Sequence, residues 1–178
     1  MKPVNRADSI QNKEAILKTA MRLFRTRGIA ISLTEIAKEA NVSRMTFYRH
    51  FPDKNAIVLA VFQYNLNELN KYAQKLQDND DAFYFLLKKV LLQRVEYHNF
   101  LPYIDADGQV LTSSMLIEIF EKPIQRAKGK RLLRSDFSGE KDLLLLISMM
   151  GGAVTYMQTL DKTAIERTLE LITEGIRV

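Results

Sequence analysis

The chain has no cysteine and no tryptophan, and only two histidines, four prolines and seven glycines in 178 residues. Without cysteine there is no disulfide framework, thiolate zinc site, iron–sulfur cluster or cysteine nucleophile. His50 and His98 are too few for a multi-histidine metal site and offer little to a Ser-His-Asp hydrolase. Scarce glycine and proline exclude collagen-like and proline-rich chains, and 47% hydrophobic residues exclude a disordered one. G-x-S-x-G, G-x-G-x-x-G and P-loop patterns are missing, so an enzyme has no motif to stand on. Asp105-x-Asp107-Gly108 lacks both the spacing and the distal glutamate of a calcium loop. The expectation is a protein with no metal, no cofactor and no catalytic residue.

Long uncharged runs are equally scarce. No apolar stretch follows Met1-Lys2-Pro3-Val4-Asn5-Arg6, so a secretory signal is not expected. Residues 143–160 carry no charge, but Ser148, Gly151, Gly152, Thr155, Gln158 and Thr159 interrupt them. That composition predicts a helix buried on most sides rather than a membrane span. A cytoplasmic protein with no membrane partner is expected.

What is present is a lopsided charge. Residues 1–60 hold 11 Lys and Arg against 5 Asp and Glu, while residues 61–178 are close to neutral. A basic module joined to a near-neutral body suits a polyanion as partner.

Apolar residues recur every three or four positions along nearly every long segment, which predicts an all-α chain. Ile16, Leu17, Ala20, Met21, Leu23 and Phe24 mark a helix over about 9–27, ended by Gly28. Ser32-Leu33-Thr34-Glu35 reads as a capping box opening a helix to about Ala40. After the turn Asn41-Val42-Ser43, a third helix runs from Arg44 to about Phe51, and Asp53 caps a long fourth helix to about Gln77. Further helices are expected at about 81–97, 100–107, 112–128, 138–160 and 162–177, with Pro123 ending or kinking its helix near Glu121.

Residues of about 33–52 have the spacing of a helix-turn-helix. Ala37 is small where the second helix must pack, Asn41 tolerates positive φ in the turn, and Val42 tucks beneath it. Ser43 caps the next helix, whose Phe47 and Phe51 share a buried face. Arg44, Thr46, Tyr48, Arg49 and His50 are then left outward on an element that fits a major groove.

The string Phe24-x3-Gly28-Ile29-x2-Ser32-Leu33-x2-Ile36-Ala37-x2-Ala40-Asn41-Val42-Ser43-x2-Thr46-Phe47-Tyr48-Arg49-His50-Phe51-x2-Lys54 resembles the tetracycline-repressor (TetR) family of bacterial transcription regulators. Asn41 stands where that family usually has glycine, and Met45 where it commonly has a small residue. The resemblance implies phosphate contacts from Thr34, Tyr48, His50 and Lys54, base-edge contacts from Arg44, Met45 and Thr46, and either from Arg49. It implies a three-helix DNA-binding domain over residues 1–55 and a helical effector-binding and dimerisation domain over 56–178. The partners are then a double-stranded DNA operator, a second copy of the chain and a small-molecule effector.

In that second part, abundant methionine and aromatic residues suit an adaptable cavity for a largely apolar effector. Phe62, Leu66, Phe85, Tyr97, Met115 and Ile119 are the candidate lining. Leu145, Met149, Gly152, Tyr156, Leu169 and Ile172 are candidates for a four-helix interface between two copies. The basic run 126–134 reads most simply as a solvated loop. The function expected is a ligand-responsive, homodimeric DNA-binding regulator acting as a repressor on a palindromic operator. A helical adaptor with a silent helix-turn-helix is the alternative.

Overall fold

A computed structural model of the chain describes residues 6–96, 103, 106–149 and 162–176. Among the described residues there are eight helical elements and no strand: α1 (Arg6–Arg27), α2 (Leu33–Glu39), α3 (Arg44–His50), α4 (Lys54–Lys75), α5 (Ala82–Glu96), α6 (Ala106–Gly129), α7 and α8 (Lys162–Ile176). α7 opens with a π-helical turn, Gly139–Leu143, and continues as α-helix over residues 144–149. The chain is all-α, as its periodicity indicates. No helix among the described residues is long and apolar enough to cross a membrane.

Two compact units form. The first is Met1–Tyr64 with Asn99–Gln109, and the second is Asn65–His98 with Val110–Val178. In the first, α1, α2 and α3 pack together around Ile16, Leu23, Phe24, Ile36 and Phe47, all essentially without solvent exposure. Gly28 closes α1 at φ 76, a conformation open to glycine at no steric cost, and its N–H returns to the Phe24 carbonyl at 3.0 Å. α1 starts at Arg6, earlier than its apolar stripe, because its polar first turn with Asp8 suits a helix N-terminus and needs no buried face.

The second unit is built on aromatic packing. The Phe83 ring meets Phe120 and Phe137 edge-on at 6.0 and 5.3 Å, with Leu69, Leu86, Leu87, Ile124 and Leu143 around them. The Tyr84 hydroxyl donates to the Leu132 carbonyl, and the Lys88–Glu166 pair at 3.1 Å ties α5 to α8.

Two expectations need correction here. α6 begins at Ala106 rather than about 112, and Pro123 does not end it: the helix continues to Gly129. A proline inside a helix removes one N–H donor and costs about 3 kcal/mol. Here Leu116, Phe120, Ile124 and Ala127 keep one face of α6 buried on both sides of Pro123, and their burial outweighs that cost. Most of the helix expected at 100–107, and the part of the 138–160 helix beyond residue 149, lie outside the described residues.

Candidate nucleic-acid interface

Local chemistry places α3. The Ser32 hydroxyl accepts from the Glu35 N–H at 3.1 Å, and the Ser43 hydroxyl accepts from the Thr46 N–H at 3.1 Å, so each short helix has one N-terminal donor satisfied by its cap. Between them Asn41 sits at φ 55, and the Val42 N–H donates to the Ala37 carbonyl at 3.1 Å, closing α2 as a left-handed C-terminal turn. The Glu35 carboxylate does not complete the capping box expected of it; it pairs with Arg27 at 3.2 Å. Phe47 is fully buried and Phe51 nearly so, their rings 6.0 Å apart, which fixes the rotation of α3 about its axis.

That rotation leaves Arg44, Met45, Tyr48 and Arg49 exposed and Thr46 and His50 half-buried. α3 carries no acidic side chain. The acids of α2 face α1 instead, Glu39 taking Arg22 at 2.9 Å and Glu35 taking Arg27. The Arg22 hydrogen bond holds the Glu39 carboxyl below its ordinary range, and both acids are occupied away from α3. Within α3 the Arg49 guanidinium donates to the Met45 sulfur at 3.4 Å, and the Ser43 and Thr46 hydroxyls share a hydrogen bond at 2.9 Å. Burial, and then the positive charge of Lys13, pushes the His50 imidazole below its ordinary value, so it is neutral at pH 7.

Two of the remaining residues are placed differently from one another. Thr34 lies in the first turn of α2, half-buried. Lys54 turns inward: its ammonium donates to the Ile31 carbonyl and lies 5.7 Å from the centre of the Phe24 ring, and burial lowers its pKa. In the free protein Lys54 fastens the start of α4 to the loop between α1 and α2. Neither this bond nor the Met45–Arg49 contact is announced by any sequence signal, since both depend on which way flexible side chains turn.

The effector candidates scatter. Leu66, Met115 and Ile119 line one cavity of about 500 Å³ between α4 and α6 in the second unit. Phe62 belongs to the first unit, Phe85 is 44% exposed on α5, and Tyr97 lies outside the described residues. What the apolar pattern missed is the polar half of that lining, Asn67, Asn70, Gln74 and Gln77. Their helical spacing on one stripe was the available signal. Of the interface candidates, Leu145 and Met149 are 57% and 64% exposed and Ile172 packs on the core. Gly152, Tyr156 and the Leu169 side chain lie outside the described residues. In the basic run, Arg126 and Lys130 hold Asp80 at 2.8 and 3.2 Å and Arg134 holds Asp136 at 2.6 Å, so much of its charge is spent within the fold.

A capped helix of groove-filling width, offering guanidiniums and hydroxyls outward and no carboxylate, is built to meet duplex DNA, and the fold around it is that of a helix-turn-helix transcription regulator. Residues 16–61 match the model of bacterial regulatory proteins of the tetR family. The chain is 32% identical over 124 residues to the HTH-type transcriptional regulator SAB2452 of Staphylococcus aureus, an alignment covering 65% of this chain and 67% of that protein. It is 41% identical over 66 residues to EthR of Mycobacterium tuberculosis, covering 36% of this chain but 31% of that one. In fold it is similar to a putative TetR-family regulator from Rhodococcus sp. (TM-score 0.73, 15% identity, 95% and 100% of the chains) and to reduced NemR of E. coli (0.70, 18%, 94% and 97%). The chain belongs to the TetR family and is a DNA-binding transcriptional regulator.

Proposed function

We propose that this chain is a cytoplasmic, homodimeric, ligand-responsive repressor that binds a near-palindromic operator through α3 and leaves it when a small molecule occupies the second unit. The observation that carries the reading is the outward face of α3, where Arg44, Tyr48 and Arg49 stand exposed on a helix with no acid. Arg44 heads the helix and reads a base edge, guanine O6 and N7 being the best match to its paired donors. Thr34, Tyr48 and His50 meet phosphates, Met45 and Thr46 face base edges, and Arg49 stands where it reaches either. A single helix-turn-helix spans too few base pairs for strong specificity, so a two-fold copy is needed. The exposed Leu145 and Met149 of α7 and Leu171 of α8 support that interface. An adaptor has no use for such a face on α3 and is not favoured.

Selection from random duplexes, paired with sedimentation of the complex, tests this. The expected result is a motif with two half-sites about one helical turn apart, bound by two chains. Selection of no motif, or full-affinity binding by a single chain, overturns it.

A further inference from the structure

The packed stripe of α1 is shorter than the helix. Ile16, Ala20, Leu23 and Phe24 are its buried residues, and α1 packs on both α2 and α3. Lys13 stands on the same stripe, about two turns before Ala20 and three before Phe24, yet its side chain is exposed. The stripe thus runs out past the elements that cover it, and Lys13 occupies its open end. His50, in the last turn of α3, feels the Lys13 charge, which puts the ammonium on the His50 side of that edge.

Lys13 also differs from its neighbours in having no acid. Lys18 holds Glu14 at 2.7 Å, Arg22 holds Glu39 at 2.9 Å and Arg27 holds Glu35 at 3.2 Å. Lys13 enters no ion pair among the described residues. Beside it, the half-buried His50 ring lies 6.4 Å from the buried Phe51 ring, so its direction is set by packing. The two groups are complementary as donors. Lys13 brings a full positive charge on a flexible stem, and the neutral imidazole brings a directional N–H.

We propose that Lys13 and His50 together hold one phosphate of the bound duplex, Lys13 supplying the charge from α1 and His50 the N–H from α3. The proposal rests on the reading of α3 as the helix that meets DNA. It brings into the contact surface a helix that the α2–α3 motif does not include. Arg44 heads α3 and His50 closes it, so a base contact at one end and this clamp at the other fix the tilt of the helix in the groove.

The test titrates the full chain into a random-sequence duplex over a salt series, followed by fluorescence anisotropy. Each phosphate contact adds about 0.9 to the log–log salt slope, so Lys13→Ala should make the slope shallower by about that amount. Its deficit should therefore shrink about threefold between about 50 and 200 mM salt, Lys13→Arg should restore the slope, and thermal unfolding should stay as in the wild type. Sharing of the phosphate is read on the duplex obtained by selection, with each phosphate of a half-site replaced in turn by a neutral methylphosphonate. One and the same replacement should cancel the effects of Lys13→Ala and of His50→Phe, which keeps a packed ring but has no N–H to donate. A wild-type slope in Lys13→Ala, cancellation at two different phosphates, or no cancellation at any overturns the proposal. Absence of duplex binding by the wild type strikes the regulator reading itself, whereas binding with an unaltered slope strikes this proposal alone.

Discussion

The first unit is specified by signals a few residues apart, while the second is held by side chains from distant parts of the chain. In the first, Ser32, Gly28, Asn41 and Ser43 each act within five residues, setting where α1 ends, where α2 begins and ends, and where α3 starts. In the second, Phe83 needs Phe137, and Tyr84 reaches the Leu132 carbonyl 48 residues away. A reading head must hold α3 at one angle, and short-range caps do this without relying on the rest of the molecule. A body that answers to small molecules is better served by packing between separate helices, since shifts in that packing change a cavity.

That contrast is broken most severely at the buried ring of each unit. Phe47→Ala should cost about 3–5 kcal/mol and abolish duplex binding, whereas Phe83→Ala should cost a similar amount with α3 still folded. Urea unfolding followed by circular dichroism, with duplex binding measured below the transition, checks both. Arg44→Ala comes next. It leaves stability alone, and specific binding should fall by about 1–3 kcal/mol with base preference relaxed at symmetric positions, as read by selection from random duplexes.

Lys54→Ala sharpens the comparison, because the Ile31 carbonyl loses its partner. Stability should fall by about 1 kcal/mol while the salt dependence of duplex binding stays as in the wild type. A slope shallower by about one unit would instead show Lys54 turning outward to a phosphate. The smallest effect is on pH. Burial and Lys13 lower the folded His50 pKa, so the unfolded chain takes up a proton first and stability declines slightly as pH falls through the ordinary histidine range. Phosphate favours the imidazolium, so duplex affinity should move the other way, rising about threefold per unit of falling pH, under the limit of about tenfold for one proton. His50→Gln should flatten that rise in a fluorescence anisotropy titration.

The same contrast explains what could be read in the sequence. α2, α3 and the start of α4 lie within a residue of their expected bounds because capping and turn residues decide them locally. Asn41 was legible as a left-handed turn residue for the same reason. Pro123 does not end α6 because a local rule meets a buried face that continues past it, on a helix packed by residues far away in sequence. The cavity is half legible: Leu66, Met115 and Ile119 stand out as apolar, while the amide stripe beside them has no apolar pattern to mark it. The inward turn of Lys54 left no trace, since a lysine at a helix start suits an anion equally well.

The widened turn that opens α7 has a consequence for the leucine run that follows it. Leu143, Leu144, Leu145 and Leu146 are chemically identical, so hydrophobicity has no preference about which is buried, yet Leu143 is wholly enclosed and Leu145 is 57% exposed. The choice is one of phase. The Ser138 N–H donates to the Asp142 carboxylate at 2.6 Å, and the Ser138 hydroxyl accepts from the Lys141 N–H at 3.3 Å, locking the π turn that sets the angle at which the helix emerges. Each residue advances a helix by about 100°, so dropping a single residue from that turn would swing a different leucine outward and carry Met149 away with Leu145. The identity of an entire outward face is thus written in five residues that form no part of it.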